Sequence, residues 1–148
     1  MKANTSNTVE KLNNILADLQ VMYQNLRTMH WLVKGSDFYT LHKLYEEYYT
    51  ETAEVVDQVA ERILMLGGIP LHQYADYLNT ATIVPVAEVP KGKESLKIVV
   101  SNYEQLLDSY RKIIAFAAAD SDEGTVALFS ELIASTEKKL WMLKSTLA

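Results

Sequence analysis

Five side chains between positions 30 and 61 have the types and the spacing of metal ligands. Two are imidazoles and three are carboxylates: His30, His42, Glu46, Asp57 and Glu61. If residues 38–66 form a helix, the last four lie within one arc of about 100° on its surface. Imidazole and carboxylate groups together suit iron and similar divalent ions. The chemistry that this stripe would support is therefore the binding of a divalent metal.

A single helix cannot bring these ligands to one ion. Glu46 and Asp57 are separated by about 16 Å along a helix axis, at 1.5 Å per residue. The spacing has an internal symmetry, however, because positions 42 and 61, like 46 and 57, are equidistant from one midpoint. Two antiparallel copies crossing there would place His42 and Glu46 against Glu61 and Asp57 of the partner subunit, as an isologous interface requires. The spacing therefore predicts two equivalent sites per dimer, each built from both subunits.

The same stripe has a simpler interpretation as an acidic, solvated helix face. Acids in a helix commonly pair with basic residues one turn away, such as Lys43 or Arg62. In that case the chain would be a metal-free helical interaction module. Residue types and spacing alone leave both interpretations open.

Three segments carry a resemblance to a known family. HWLVKG at 30–35, FYTLH at 38–42 and DQVAER with LGG at 57–68 resemble the signature of the Dps family, the mini-ferritins. The resemblance extends from about Asn7 to Leu147. It implies a ferroxidase site at a two-fold interface, with His30, His42 and Glu46 from one subunit and Asp57 and Glu61 from its partner.

The resemblance also implies an activity. A Dps-like protein would oxidise Fe²⁺ to Fe³⁺, preferably with hydrogen peroxide, and store the ferric oxide in a hollow homododecamer, which protects against oxidative damage. Trp31, beside His30, would quench radicals. Many family members have Asp where this chain has Glu46, and the longer side chain would alter the second, weaker iron position. Zinc accepts the same ligand types, so the sequence does not separate iron from zinc.

Composition and length are compatible with this interpretation. The chain has 148 residues, of which 49% are hydrophobic, and we expect one domain over residues 1–148. It contains no cysteine, which excludes disulfides and thiolate metal sites and is compatible with a reducing cytosol. Residues 1–8 lack the apolar core of a signal peptide, and no run has the length of a membrane helix. A cytoplasmic location is expected.

Hydrophobic periodicity predicts an all-α, ferritin-like four-helix bundle. The first helix should begin at a capping box formed by Asn7 and Glu10 and stop at Gly35. The second should span about 38–66, the third should begin near 94–95, and the fourth should follow the break at 120–124. The roughly 25 residues between the second and third helices predict a long crossover with a short helix. Metal sites inside a four-helix bundle use Glu-x-x-His motifs, but none of the three histidines here has Glu three positions earlier. The bundle core is therefore expected to be apolar.

Five further residues also need an interpretation. Asp120, Asp122 and Glu123 suit a loop and a helix N-terminus, where acids are favourable; the family resemblance implies instead that acids here line three-fold pores. His72 is expected at a surface or interface. Trp141 is expected to be a packing or interface anchor.

Direct DNA binding is a rival function, for which some Dps proteins are named. The formal net charge is −5, residues 1–8 contain only Lys2 as a basic residue, and no basic tail follows Leu147. Assembly into a shell would multiply the negative charge and oppose a phosphate backbone. The sequence therefore predicts that DNA is not bound directly.

Overall fold

The protein is a bundle of four long helices with one short helix in the crossover. The computed structural model describes the backbone of residues 3–148 and the side chains of residues 5–148. The helices are α1 (Ala3–Leu32), α2 (Phe38–Met65), α3 (Tyr74–Thr80), α4 (Ser95–Ala119) and α5 (Glu123–Leu147), with a 3₁₀ turn at Gly92–Glu94. The described residues contain no strand. The predicted all-α architecture, with its long crossover after the second helix, is confirmed.

The start of α1 differs from the prediction. The capping box at Asn7 and Glu10 is wrong, because the helix already begins at Ala3 and Asn7 lies inside it. Thr8 and Val9 are buried, so packing against the bundle begins within the first turns of the helix. Tertiary packing here overrides the preference of Asn for a cap position.

The core is formed by the apolar faces of the four long helices. Each contributes fully buried side chains, among them Leu16, Ile63, Leu106 and Phe129. A few polar groups are also buried, and these are hydrogen-bonded: the Asn25 amide nitrogen donates to Asn102 at 3.0 Å. The core is therefore mostly apolar, as expected, with satisfied polar exceptions.

Buried tyrosines are among these exceptions. Burial raises the pKa of Tyr45 to about 12, although its hydroxyl is hydrogen-bonded to Ser95. Burial also raises the pKa of Tyr48 to about 12, and the neighbouring acids Glu47 and Glu51 add to the effect. These phenols therefore stay neutral far above physiological pH.

Two of the helix ends use the same backbone arrangement. After α2, Gly68 N–H donates to the Ile63 carbonyl and Gly67 N–H to the Leu64 carbonyl, both at 3.0 Å. Gly67 has φ +82°, the left-handed conformation that this Schellman motif needs at its first residue beyond the cap. After α4 the equivalent position is Ser121, with φ 56°. The chain therefore leaves both helices through the same tight turn, once with glycine and once without.

Three polar side chains of α1 hold the crossover against the bundle. The buried Asp18 carboxylate accepts hydrogen bonds from the backbone N–H groups of Thr82 and Ile83, at 2.6 and 2.8 Å. The Asn13 and Asn25 amides each donate to one backbone carbonyl of the crossover and accept from one backbone N–H group there. The long connection is therefore fixed by specific hydrogen bonds to one helix.

The short helix expected in the crossover is present at Tyr74–Thr80, packed against α1. Its Tyr74 and Leu78 side chains are exposed in the single chain.

In the described part of the chain, no helix combines the length and the hydropathy that crossing a membrane would need.

Candidate functional site

The two histidines of the sequence stripe meet where α1 ends and α2 begins. The connection between these helices is short, so α2 runs back along α1 and the two imidazoles come face to face. Their rings are stacked, with centroids 3.7 Å apart and planes 13° from parallel. His30 is buried and His42 is half-buried. The structure thus brings together the two histidines that the sequence predicted as nitrogen ligands.

Reciprocal hydrogen bonds fix the orientation of both rings. His30 Nδ1 lies 2.6 Å from the His42 carbonyl oxygen, and His42 Nδ1 lies 2.7 Å from the His30 carbonyl oxygen. Because a carbonyl only accepts, each Nδ1 must donate. In the neutral ring the lone pair is then on Nε2, the arrangement found in metal-binding histidines whose other nitrogen is held by a backbone carbonyl. Both Nε2 atoms are available as ligands.

Aromatic rings close the pair on both sides. Phe38 stacks on His42 with centroids 4.9 Å apart, and Tyr49 meets His30 edge-on with centroids 5.3 Å apart. Tyr49 was not identified from the sequence, although its position two turns after His42 places it on the same face of α2. Helical spacing was therefore a usable signal for this residue.

The three acids of the stripe lie on the exposed surface of α2. Glu46, Asp57 and Glu61 are all exposed in the single chain. Within residues 5–148, no three His, Cys, Asp or Glu side chains come close enough to hold a metal ion together. One chain therefore presents the histidine pair at the junction of α1 and α2 and the acids along α2, without gathering them at one point.

The tryptophan beside His30 points away from the core. Trp31 is 55% exposed, and the Arg27 guanidinium lies 4.9 Å from the centroid of its ring. Trp141 and His72 are also exposed, and His72 Nδ1 donates to the Pro70 carbonyl at 3.1 Å. Neither Trp141 nor His72 belongs to the core.

The residue after Glu61 connects α2 to the start of α5. Arg62 forms an ion pair with Asp122 at 2.6 Å and donates to the Thr125 hydroxyl at 3.0 Å. Asp122 also caps α5 by accepting from Thr125 N–H at 3.1 Å. Gly124 leaves the space for this contact, since a Cβ there would lie 2.6 Å from the Arg62 guanidinium.

The charge of Asp122 is strongly supported by its neighbours. Burial opposes its ionisation, but the hydrogen bonds from Thr125 and the charge of Arg62 outweigh burial and lower the pKa of the Asp122 carboxyl. The capping interpretation of this acid is confirmed. Glu123 lies exposed in the first turn of α5, and Asp120 is the C-cap residue of α4. A role of these acids in a pore stays a prediction.

Comparison with known proteins identifies the family. Residues 9–148 match the ferritin-like domain model. The chain is 39% identical over 137 residues to the DNA protection during starvation protein of Porphyromonas gingivalis, covering 93% of this chain and 86% of that protein. It is 40% identical over 144 residues to an uncharacterised protein of Haemophilus influenzae, covering 97% of this chain and 90% of that protein.

Solved structures agree with the sequence comparison. The Dps protein of Vibrio cholerae, described as a member of a broad superfamily of ferritin-like diiron-carboxylate proteins, superposes with a TM-score of 0.96 at 38% identity, covering 98% of this chain and 91% of that one. A Dps protein of Bacillus brevis superposes with a TM-score of 0.97 at 31% identity, covering 100% and 99%. The chain belongs to the Dps family of ferritin-like proteins.

Proposed function

We propose that the protein is an iron-storing ferroxidase that protects against oxidative damage, with its site shared between two subunits. The observation that carries the proposal is the oriented pair of His30 and His42. A backbone carbonyl holds Nδ1 of each ring, which leaves both Nε2 atoms as ligands at the junction of α1 and α2, and exposed acids continue along α2. The P. gingivalis relative is named a DNA protection during starvation protein, and the V. cholerae Dps protein is described as a member of the ferritin-like diiron-carboxylate proteins.

Completion of the site requires a second copy of the chain. In the proposed dimer, Asp57 and Glu61 of the partner subunit approach His30, His42 and Glu46. The acids are exposed in one chain, so they are free to face a partner across a two-fold axis. Six such dimers would form the hollow dodecamer in which ferric oxide is stored.

The ligand types suit the proposed reaction. Fe²⁺ enters as a substrate, and carboxylate oxygens favour the harder Fe³⁺ product. With hydrogen peroxide as oxidant, two Fe²⁺ ions, one H₂O₂ and two protons give two Fe³⁺ ions and two water molecules. Iron and peroxide are removed together, so less hydroxyl radical forms. Zn²⁺ would compete for the same ligands, and the structure of Listeria innocua Dps soaked with zinc is one of the similar structures.

A mixing experiment tests the shared site. One chain carries His30→Ala with His42→Ala, and the other carries Asp57→Ala with Glu61→Ala. Each assembly alone should fail to oxidise Fe²⁺ rapidly with peroxide, whereas mixed assemblies should regain part of the activity because one intact site re-forms per heterodimer. Circular dichroism should show that both variants remain helical.

The control for mixing uses two chains that both carry Asp57→Ala with Glu61→Ala but different affinity tags. Their co-assemblies should stay inactive. Mixed shells of the two complementary variants, verified by native mass spectrometry, that also stay inactive would reject ligation across the interface. Wild-type rates in the Asp57→Ala, Glu61→Ala variant would remove these acids from the mechanism.

A further inference from the structure

A row of aromatic rings leads away from the histidine pair into the contact between α1 and α2. Tyr49 lies edge-on to His30, with planes 80° apart and centroids 5.3 Å apart. Tyr23 lies edge-on to Tyr49, with centroids 6.0 Å apart. Phenol side chains are one-electron donors. The row therefore places an oxidisable group in direct contact with a proposed iron ligand.

The aromatic groups around His30 are not equally easy to oxidise. The Arg27 guanidinium lies 5.2 Å from the ring centroid of Tyr23 and 4.9 Å from that of Trp31. A cation over a ring opposes the loss of an electron from it, because the ring would then gain charge of the same sign. In the described part of the chain, no Lys or Arg lies over the Tyr49 ring. Electrostatics therefore favour Tyr49 over Tyr23 and Trp31 as the electron donor.

The proposed reaction creates a need for such a donor. Reduction of hydrogen peroxide to water takes two electrons, and a single Fe²⁺ ion supplies one. When only one Fe²⁺ ion occupies the shared site, the other product of the one-electron step would be a hydroxyl radical.

We propose that Tyr49 supplies the second electron to peroxide when a single Fe²⁺ ion is bound; this rests on the ferroxidase function proposed above. One Fe²⁺, the Tyr49 phenol, one H₂O₂ and one proton give one Fe³⁺, the neutral Tyr49 phenoxyl radical and two water molecules. The O–O bond breaks, and the phenolic proton and the solution proton end in water. A later Fe²⁺ ion and a proton restore the phenol and give a second Fe³⁺.

Electron paramagnetic resonance tests this step with the assembled protein. Wild type is loaded anaerobically with fewer Fe²⁺ ions than chains, mixed with hydrogen peroxide and frozen rapidly. A tyrosyl radical should appear, and its spectrum should narrow when the protein contains ring-deuterated tyrosine. In Tyr49→Phe, which keeps the ring but lacks the hydroxyl, this signal should be lost, and a spin trap should capture more hydroxyl radical.

Tyr110→Phe is the matched control. Tyr110 is buried against Phe129, with ring centroids 5.3 Å apart, and it has no contact with the histidine pair. The control should keep the wild-type radical signal. Anaerobic calorimetry should show the same Fe²⁺ affinity in wild type, Tyr49→Phe and Tyr110→Phe, because neither change replaces a proposed ligand and Tyr49→Phe keeps the ring that contacts His30.

The outcomes separate this proposal from the proposed function. An unchanged tyrosyl signal in Tyr49→Phe would overturn the assignment, as would Fe³⁺ formation in wild type without a tyrosyl signal. A radical of the indole type in wild type would transfer the role to a tryptophan. If wild type bound Fe²⁺ but formed no Fe³⁺ with peroxide, the ferroxidase function itself would fail.

Discussion

In the proposed site, the histidine pair combines a structural and a chemical role in different atoms of the same ring. Each Nδ1 ties α1 to α2 through a carbonyl of the other helix, while each Nε2 is left for a ligand. The two roles are therefore separable by substitution. An asparagine side chain has an N–H donor at nearly the same position as Nδ1 and has no atom in place of Nε2.

His30→Asn should therefore keep the fold and lose iron binding. We expect a loss in the free energy of unfolding of about 1–2 kcal/mol, since the hydrogen bond can re-form but ring packing is lost. Fe²⁺ affinity, measured by anaerobic titration calorimetry, should fall sharply. His72→Asn is the matched control, because this exposed histidine also donates from Nδ1 to a carbonyl. Wild-type affinity in His30→Asn would remove His30 from the ligand set.

Asp122 gives a pH-dependent prediction. Its pKa is lower in the folded protein than in the unfolded chain, despite burial, because of Thr125 and Arg62. Its contribution to stability is then complete above the unfolded pKa of about 4 and is lost as the pH falls through the folded value. Asp122→Asn should destabilise the protein by about 1 kcal/mol at pH 7, because Asn can still cap the helix but the ion pair with Arg62 is lost, and by less at pH 3. Urea unfolding at both values measures this, and an equal difference at both would contradict it.

Residue types and spacing predicted the ligand stripe but not its geometry. That His30 and His42 stack depends on the antiparallel return of α2 along α1, which spacing in one helix does not encode. Tyr49 was missed because a tyrosine on a helix face is usually packing, and its edge-on contact with His30 exists only in three dimensions. Arg62 looked like a partner for acids on its own helix, whereas its ion pair is with Asp122, the N-cap of α5.

Some helix ends and connections were predictable from the sequence, and others were not. The glycines after α2 correctly predicted where this helix ends, because the left-handed position there suits glycine. The end of α4 has Ser121 in that conformation, so no glycine marked the turn. The crossover was expected from its length alone, while its attachment through Asn13, Asp18 and Asn25 was missed. Polar residues in a helix carry no signal of which distant backbone they bind.

Ser121→Gly should stabilise the protein. A left-handed conformation costs an L-residue about 1–2 kcal/mol and glycine almost nothing, though glycine loses more entropy on folding. We expect a net gain of about 0.5–1 kcal/mol, measured by thermal unfolding. Ser36→Gly, in the connection between α1 and α2, is the control, because Ser36 is not among the residues with positive φ. A loss of stability in Ser121→Gly would contradict the reasoning.

Asp18→Ala should release the crossover from α1. The change removes three hydrogen bonds to a charged acceptor and leaves the N–H groups of Thr82 and Ile83 without it. We expect a loss of about 3 kcal/mol in the free energy of unfolding and faster amide exchange at positions 82 and 83. Asp108→Ala removes only an exposed ion pair with Lys112 and should cost less than about 1 kcal/mol. Equal losses in both variants would show that Asp18 has no special role.

The surface charge of the assembled protein bears on what it can bind. Several relatives are named for DNA protection, and protection can come from direct binding or from removal of iron and peroxide. The net charge of −5 per chain is repeated in every subunit. Counterion release, which drives binding to DNA, requires clustered cations that replace phosphate counterions. The negative net charge therefore favours protection by removal of iron and peroxide over protection by direct binding to DNA.

We therefore expect that the assembled protein does not retard linear DNA in a gel at neutral pH and physiological salt. Its iron oxidation should be unaffected by added DNA, because the proposed site recognises Fe²⁺ and peroxide alone. One local source of positive charge is the segment of Lys91, Lys93 and Lys97, in which Lys97 is already paired with Glu94 at 2.8 Å. Salt-sensitive retardation without divalent ions would contradict the prediction. Its loss on changing these three lysines to glutamine would then identify that segment as the binding surface.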